Sequence, residues 1–413
     1  MSDTTPQSKQ APRAIVVGAG IAGLTLANRL DTHGWHVTVV ERAPGPRPQG
    51  YMIDFFGPGH DAAAAMGLLP RIRELGHDVQ EAVLVDERGR RRAAIAFEQF
   101  ARSLDSGLVS LMRPDLERAL REALPERVEM RFGTAPVRVA DGADADTVRV
   151  ELTSGETLDA ELLAGADGIH STVRGLVFGS ERDYLRFLGF HTSAFQFRDA
   201  RIHAATAGRF LMTDSLGAQL GLYALDDDRV AAFTVHRTAD ATLPGDARQA
   251  VRSACAGLDW VVPDVLELCP PGDEVYYDQV AQIEMDRWSQ GRTVLLGDAC
   301  QAVSLLAGQG ASLAVGGAFV LAEELARSAS VPEALHRYEQ RWRPVVTERQ
   351  RAARTGTSWF LPADPVRLWL RRLFLNIATL PGVGRLIATS LTGKPSRVVR
   401  DLVPAETPTP RGH

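Results

Sequence analysis

Lysine is almost missing from this chain of 413 residues: among its 46 basic residues only Lys9 and Lys394 are lysines. The scarcity reads as genome composition bias and carries no functional meaning. A basic surplus is also lacking. With 51 acidic residues the net charge is -5, so there is no electrostatic footprint for nucleic acid. Cysteine is scarce, at Cys255, Cys269 and Cys300. An odd, sparse set excludes a disulfide framework and fits a reducing cytoplasm. Metal-ligand spacings are absent, and no metal is expected. No apolar run is long enough to span a membrane. Met1 to Arg13 is polar with no apolar stretch, which predicts a disordered lead-in and excludes a signal peptide. Hydrophobic content of 45% and charged content of 23% are ordinary for a globular protein. The length predicts two or three domains.

Glycine is present where it matters. An apolar run, Ala14 to Val17, leads into Gly18-Ala19-Gly20-Ile21-Ala22-Gly23, and Leu24, Ala27 and Leu30 follow at helical spacing. Gly34 ends that helix, and Trp35 to Val40 is a second strand ending at Glu41. This is a βαβ unit, the context a GxGxxG motif requires. Gly57–Leu69 and Arg113–Leu124 read as helices, and 137–158 as a small meander. Leu162 to Ala164 is a strand running into Asp167-Gly168-Ile169-His170-Ser171-Thr172-Val173-Arg174. From Asp183 to Tyr277 short strands dominate, with Pro263 to Gly272 as a proline-bounded connection. The stretch Val79 to Phe97 is expected to join them. Arg292 to Leu296 returns as a buried strand to Gly297-Asp298, followed by Gly308-Gln309-Gly310-Ala311 opening a helix. Pro332–Arg354, Pro365–Leu375 and Gly384–Leu391 are predicted helices.

The expected fold is therefore α/β: a Rossmann-like domain with a parallel sheet, a mostly antiparallel β-sheet domain, and C-terminal helices. The first domain takes 13–78, 98–182 and 278–330; the sheet domain takes 79–97 and 183–277; the helical segment takes 331–403. Tails 1–12 and 404–413 are expected to be disordered. The helices between Trp359 and Leu391 carry Phe360, Trp369 and Phe374 beside Arg367, Arg371 and Arg372. Membrane docking is one reading; a lid packed on the first domain is the expected one.

The three glycine-aspartate segments look like three walls of one FAD site. Gly18 permits a tight turn, Gly20 lets backbone approach a pyrophosphate, and Gly23 lets the helix pack on the sheet. The helix N-terminus offers free N–H groups and partial positive charge to the phosphates. Glu41 is placed to take the ribose hydroxyls, and Arg42 to stack on or bond the adenine. Asp298 suits a buried ribityl chain, whose hydroxyls need acceptors. Gly308, Gln309, Gly310 and Ala311 open a helix whose dipole faces the pyrimidine side of the ring.

This combination resembles the class A FAD-dependent monooxygenases, the para-hydroxybenzoate hydroxylase group, and within it the tetracycline-inactivating and polyketide-tailoring enzymes. The family's fingerprints fall on Gly18–Gly23, on Asp167–Arg174 and on Gly297-Asp298. By that resemblance Arg113 is an FAD residue, Arg47 touches NADPH and Asp54 touches the flavin. The resemblance implies bound FAD, NAD(P)H as transient reductant, and O2 captured as a flavin C4a-hydroperoxide. One oxygen atom then passes to a hydrophobic aromatic or polyketide-like small molecule. The cofactor carries the chemistry, so no catalytic triad is expected and no catalytic residue is assigned. His170, His191 and His236 are candidate bases against a structural role. The sheet domain is expected to cover the ring, with Phe190, Phe195, Met212, Tyr223 and Phe233 as pocket candidates, about half facing it by strand alternation.

The third segment departs from the family pattern. Gln301 stands where the family has His, Leu305 where it has Pro, Ser312 where it has Asn, and Gly316-Gly317 where it has an acidic pair. The lost proline puts oxygen activation in question and leaves FAD binding untouched. It keeps open a second reading, a non-redox cyclisation in an FAD-shaped pocket, and a third, a non-catalytic FAD sensor. Two glycines inside a helix cost about 1 kcal/mol each against alanine, so a closely packed neighbour is expected there.

Overall fold

Arg13–Val17 pairs in parallel with His36–Glu41 on one side and with Leu162–Gly165 on the other. The structure, a computed structural model, describes residues 11–47, 49–102, 104, 107–140, 147–304, 308–362, 364–378 and 396–403. The predicted tails, apart from residues 11 and 12, lie outside these residues, as do Leu305 and the predicted Gly384–Leu391 helix.

The first sheet runs in the order Ser289–Gln290, Thr293–Leu295, Leu162–Gly165, Arg13–Val17, His36–Glu41, Glu129–Phe132. All pairs are parallel except the edge hairpin of the first two. Its central strands are buried on both faces, which explains their unbroken apolar sequence. The Ile21–Thr32 and Gly310–Arg327 helices pack over it with Leu24, Leu26, Phe319 and Leu321 nearly inaccessible. The meander forms from Pro136–Ala140, Val148–Leu152 and Thr157–Ala160.

The second sheet has seven strands, ordered Tyr276–Ile283, Leu185–Arg198, Arg229–Arg237, Ala218–Ala224, Arg209–Asp214, Glu81–Val85, Arg91–Ala96. Only Arg209–Asp214 and Glu81–Val85 pair in parallel. Strand alternation gives it two faces. One carries Phe195, Phe197, Leu220, Leu222, Val230 and Ala232 against Val251, Val262 and Val265. Those partners sit on the helices Ala247–Cys255 and Val262–Glu267. The segment read from sequence as a proline-bounded connection thus contains a helix, started by Pro263 in its first turn. The other face carries Tyr223 and Ala231 against Met52 and Met112 of the hairpin Met52–Phe55/Val109–Met112, so it is turned toward the first sheet.

One helix runs over 30 residues from Val331 to Phe360 along the first domain, with Tyr338, Trp342 and Val346 fully buried. The next, Pro365–Ala378, docks on the seven-stranded sheet and not on the first domain. Arg371 and Arg372 both pair with Asp214 at 2.5 and 2.6 Å, and Arg371 also reaches Gln219. No helix among the described residues is long and apolar enough to cross a membrane.

Candidate cofactor site

All three glycine-aspartate segments meet at one cleft. Gly20, Ile21 and Ala22 come from the first, Gly168 and Ile169 come from the second with Ala166 just before it, and Asp298, Gly308, Gly310 and Ala311 come from the third. Tyr51, Ile53, Arg113, Tyr276 and Asp278 complete the lining, with Ala302, Val303 and Ser304 along one wall.

The glycines divide by what demands them. At Gly18, with φ 106°, a Cβ would run into the Ala166 carbonyl, and at Gly23 into the Gly18 carbonyl. These two are set by the protein's own packing. At Gly20 the nearest atom to a built Cβ is Glu117 Oε1 at 3.5 Å, while Gly168 and Gly308 meet nothing within 4 Å. Gly168 and Gly308 are nevertheless required by their own backbone, at φ 82° and 63°. Of these three, Gly20 alone leaves room for a side chain, and the open space belongs to whatever fills the cleft. Two helices begin on it, Ile21–Thr32 at Gly20 and Gly310–Arg327 at Gln309, and neither has a side-chain cap. Their leading N–H groups and dipoles are thereby left for an anionic or electron-rich ligand.

The acidic and basic groups are distributed unevenly. Asp298 opens onto the cleft but is ringed by protein, and the loss of water raises its pKa against the opposing pull of Arg113. Its side chain has no hydrogen-bond or ion-pair partner among the described residues, so a ligand hydroxyl would complete it. Arg113 reaches the cleft from its own helix, held by Glu117 at 2.8 Å. Glu41 accepts the backbone N–H groups of Ala19 at 2.9 Å and Ala43 at 2.8 Å, bracing the Gly18–Gly20 turn. Arg42 is exposed beside it, and Arg47, also exposed, lies 4.0 Å from Glu41. Asp167 accepts from Ser171 Oγ and the Val173 N–H, so its carboxylate is spent on its own turn. Asp54 shares the Met52 face of its strand, opposite the cleft-lining Ile53. Ser110 Oγ donates to it at 2.6 Å, burial raises its pKa, and it lies close enough to Tyr223 to influence that phenol.

The pocket candidates separate likewise. Phe233 lies 6.4 Å from Tyr51, which is 5.4 Å from Tyr276, both cleft residues. Tyr223 stacks on Phe210 at 4.0 Å. Met212, on the same strand face as Phe210, accepts from Gln219 Nε2. Phe190 is packed with Val235, Val280 and Leu361. Phe195 sits on the opposite face, against the covering helices. His191 and His236 share that far face, each hydrogen-bonded to Tyr277 at 3.1 and 3.3 Å. His170 alone reaches the cleft margin, between Glu181 at 3.1 Å and Asp278 at 3.5 Å.

Sequence reasoning missed two things. Arg174, fully buried, donates to the carbonyls of Ala299 at 2.8 Å and Ile169 at 2.7 Å and so stitches the second segment to the third. The last arginine of the second motif was the available signal. Tyr276 and Asp278 had no signal beyond lying on the strand that crosses between domains.

The expected close neighbour of Gly316-Gly317 is Trp342. A Cβ at Gly317 would lie 2.6 Å from its Nε1 and 3.0 Å from Gln301 Oε1. The indole donates to Gln301 Oε1 at 3.1 Å, and Gln301 Nε2 donates to the Tyr338 hydroxyl. Ser312 Oγ accepts from the Gly59 N–H and donates to the Phe56 carbonyl. All three cysteines are free and buried, and no metal-binding cluster occurs among the described residues.

A sequence profile described as FAD binding domain matches residues 12–353. The uncharacterized protein Rv1260 of Mycobacterium tuberculosis is 34% identical over 329 residues, 75% of this chain and 84% of that protein. The FAD-dependent monooxygenase asL6 of Sarocladium schorii is 29% identical, covering 84% and 88%. Among solved structures, the tetracycline destructase Tet(55) superposes with a TM-score of 0.75 at 25% identity, over 90% of this chain and 98% of that one.

Proposed function

This chain belongs to the FAD binding domain family, and from that premise we propose that it is a monooxygenase that consumes NAD(P)H and places one oxygen atom of O2 in a hydrophobic small molecule. The observation that carries the proposal is the convergence of all three segments on one cleft whose open Gly20, uncapped helix starts and Asp298, unpartnered among the described residues, suit a dinucleotide with a polyol chain. The names of relatives such as asL6 support the reaction class.

When bound, FAD supplies the redox chemistry, taking hydride from the nicotinamide and delivering oxygen. The protein's own residues bind, orient and exclude water. The Gly18–Gly23 turn and Arg113 would hold the pyrophosphate, with Glu41 fixing the turn. Asp298 would take ribityl hydroxyls. The aromatic face bearing Tyr223, Phe210 and Phe233 would receive an apolar or aromatic substrate. Asp54, whose pKa burial raises against the hydrogen bond from Ser110, lies beside Tyr223 on the substrate side, where its carboxyl could hold or pass a proton. His191 and His236 have no part in this, since strand alternation puts them on the sheet face turned away from the cleft, beside Tyr277.

The test is oxygen uptake and NAD(P)H oxidation by the purified yellow protein with apolar aromatic candidates, followed by product mass. A gain of one oxygen supports the proposal. An isomeric product of unchanged mass would instead establish the cyclisation, and flavin that no candidate causes to be reduced would sink the oxygenase reading.

A further inference from the structure

The wall formed by Ala302, Val303 and Ser304 has no regular secondary structure, yet it lines the cleft and is largely buried. Backbone carbonyls in such a place need donors, because an unpaired buried acceptor costs about 1–3 kcal/mol. The Ile283 N–H donates to the Ala302 carbonyl at 3.2 Å, and two side-chain amides from outside the segment supply the remaining donors. Gln350, on the Val331–Phe360 helix, donates to the Ala302 carbonyl at 3.0 Å and to the Ile283 carbonyl at 2.7 Å. Gln282, at the end of the Tyr276–Ile283 strand, donates to the Val303 carbonyl at 2.7 Å and to the Gln350 carbonyl at 2.9 Å. Gln282 is 0% exposed and Gln350 7%.

The amide orientation of Gln282 is fixed independently. Arg354 Nη1 lies 3.0 Å from its Oε1 and also contacts Glu284. A guanidinium can only donate, so it must face the amide oxygen, which leaves the NH2 for the two carbonyls. The amides thus hold two consecutive carbonyls from behind. In a trans peptide the following N–H points to the opposite side. Pinning the Ala302 and Val303 carbonyls therefore turns the Val303 and Ser304 peptide N–H groups away from the glutamines. Ser304 then takes φ 107°, which an L residue adopts only under constraint.

Resting on the FAD reading above, we propose that Gln282 and Gln350 are positioning residues of the flavin site: their amides set the backbone of the Ala302–Ser304 wall, and with it how tightly and in what electronic state the cofactor is held.

The experiment uses the full-length holoenzyme and its apo form. Gln350→Met and Gln282→Met keep length and volume but cannot donate. Gln282→Met should weaken FAD binding about tenfold, as expected when the buried Val303 carbonyl loses its donor, and Gln350→Met by less, since the Ala302 carbonyl keeps the Ile283 N–H. Each should also shift the flavin midpoint potential and visible spectrum, and speed amide hydrogen exchange across 302–304 in the apo-protein. Because the two amides share one wall, the double variant should fall short of the product of the single effects. If a Met variant does not fold, Gln350→Asn withdraws the amide by one methylene and should move the same readouts. Variants that lose thermal stability but keep wild-type FAD affinity, potential and exchange would overturn the inference alone. A wild-type protein that takes up no FAD would overturn the functional reading beneath it.

Discussion

Gly18 and Asp298 stand for two kinds of residue, one required by the chain itself and one proposed to serve a ligand. Gly18→Ala would force a Cβ into the Ala166 carbonyl at φ 106°. We expect it to destabilise the protein by about 1–3 kcal/mol, the range for overpacking and strained backbone, with or without FAD, as read by thermal unfolding. Asp298→Ala removes an acceptor that no donor among the described residues uses. It should leave the apo-protein's melting temperature close to that of wild type, because the side chain is exposed in the cleft. It should weaken FAD binding by about 1–3 kcal/mol in a fluorescence titration. Equal losses in both forms would show that Asp298 is structural. Both residues were legible in the sequence, because a glycine before a helix or an aspartate after a buried strand restricts its surroundings to a few arrangements. Asp167 was equally visible, yet its carboxylate turns to Ser171 and Val173, and the motif alone could not show which way it would point.

Elements show how substitutions in one helix are answered in another. The Gly316-Gly317 pair costs the Gly310–Arg327 helix propensity, and the Val331–Phe360 helix returns packing through Trp342. Gly317→Ala should therefore destabilise by about 1–3 kcal/mol where propensity alone predicts a gain of about 1 kcal/mol; the sign of the change in thermal unfolding decides between them. The Pro365–Ala378 helix is held by two arginines on one buried carboxylate, with Arg371 and Asp214 both nearly inaccessible. Asp214→Asn would leave two guanidiniums facing each other, a loss of up to about 3 kcal/mol for breaking a buried pair. We expect it to appear as faster hydrogen exchange across 365–378 before global unfolding. Sequence periodicity found this helix but misplaced it, because an amphipathic pattern says which face is covered and not what covers it.

At the scale of the whole molecule, the two sheets are joined beside the cleft by a charge. His170 lies within the second motif, just after the Leu162–Gly165 strand, while Asp278 lies on the edge strand of the seven-stranded sheet. Its hydrogen bond to Asp278, with Glu181 assisting against desolvation, raises its pKa to about 9. A histidine raised in the folded state stabilises fully below its unfolded value of about 6.5, and that contribution is lost as pH rises through about 9. Since the ring is partly exposed, solvent screens the effect. His170→Gln should flatten the decline in thermal stability and flavin retention between about pH 7 and 9.5, measured side by side with wild type. An unchanged alkaline slope would remove His170 from that role.

By itself the sequence determined the two-sheet architecture and the three loops of the cofactor site, because strand period, glycine turns and uncapped helix starts are local properties of the chain. Tertiary structure alone decided which faces meet. It sent His191, His236 and Phe195 to the sheet face turned away from the cleft, brought Arg174 to the Ala299 carbonyl, and set Gln282, Gln350 and Trp342 behind the cleft wall. These partners are separated by up to hundreds of residues, and a side chain's direction across such a span depends on how sheets and helices pack, which no local pattern encodes.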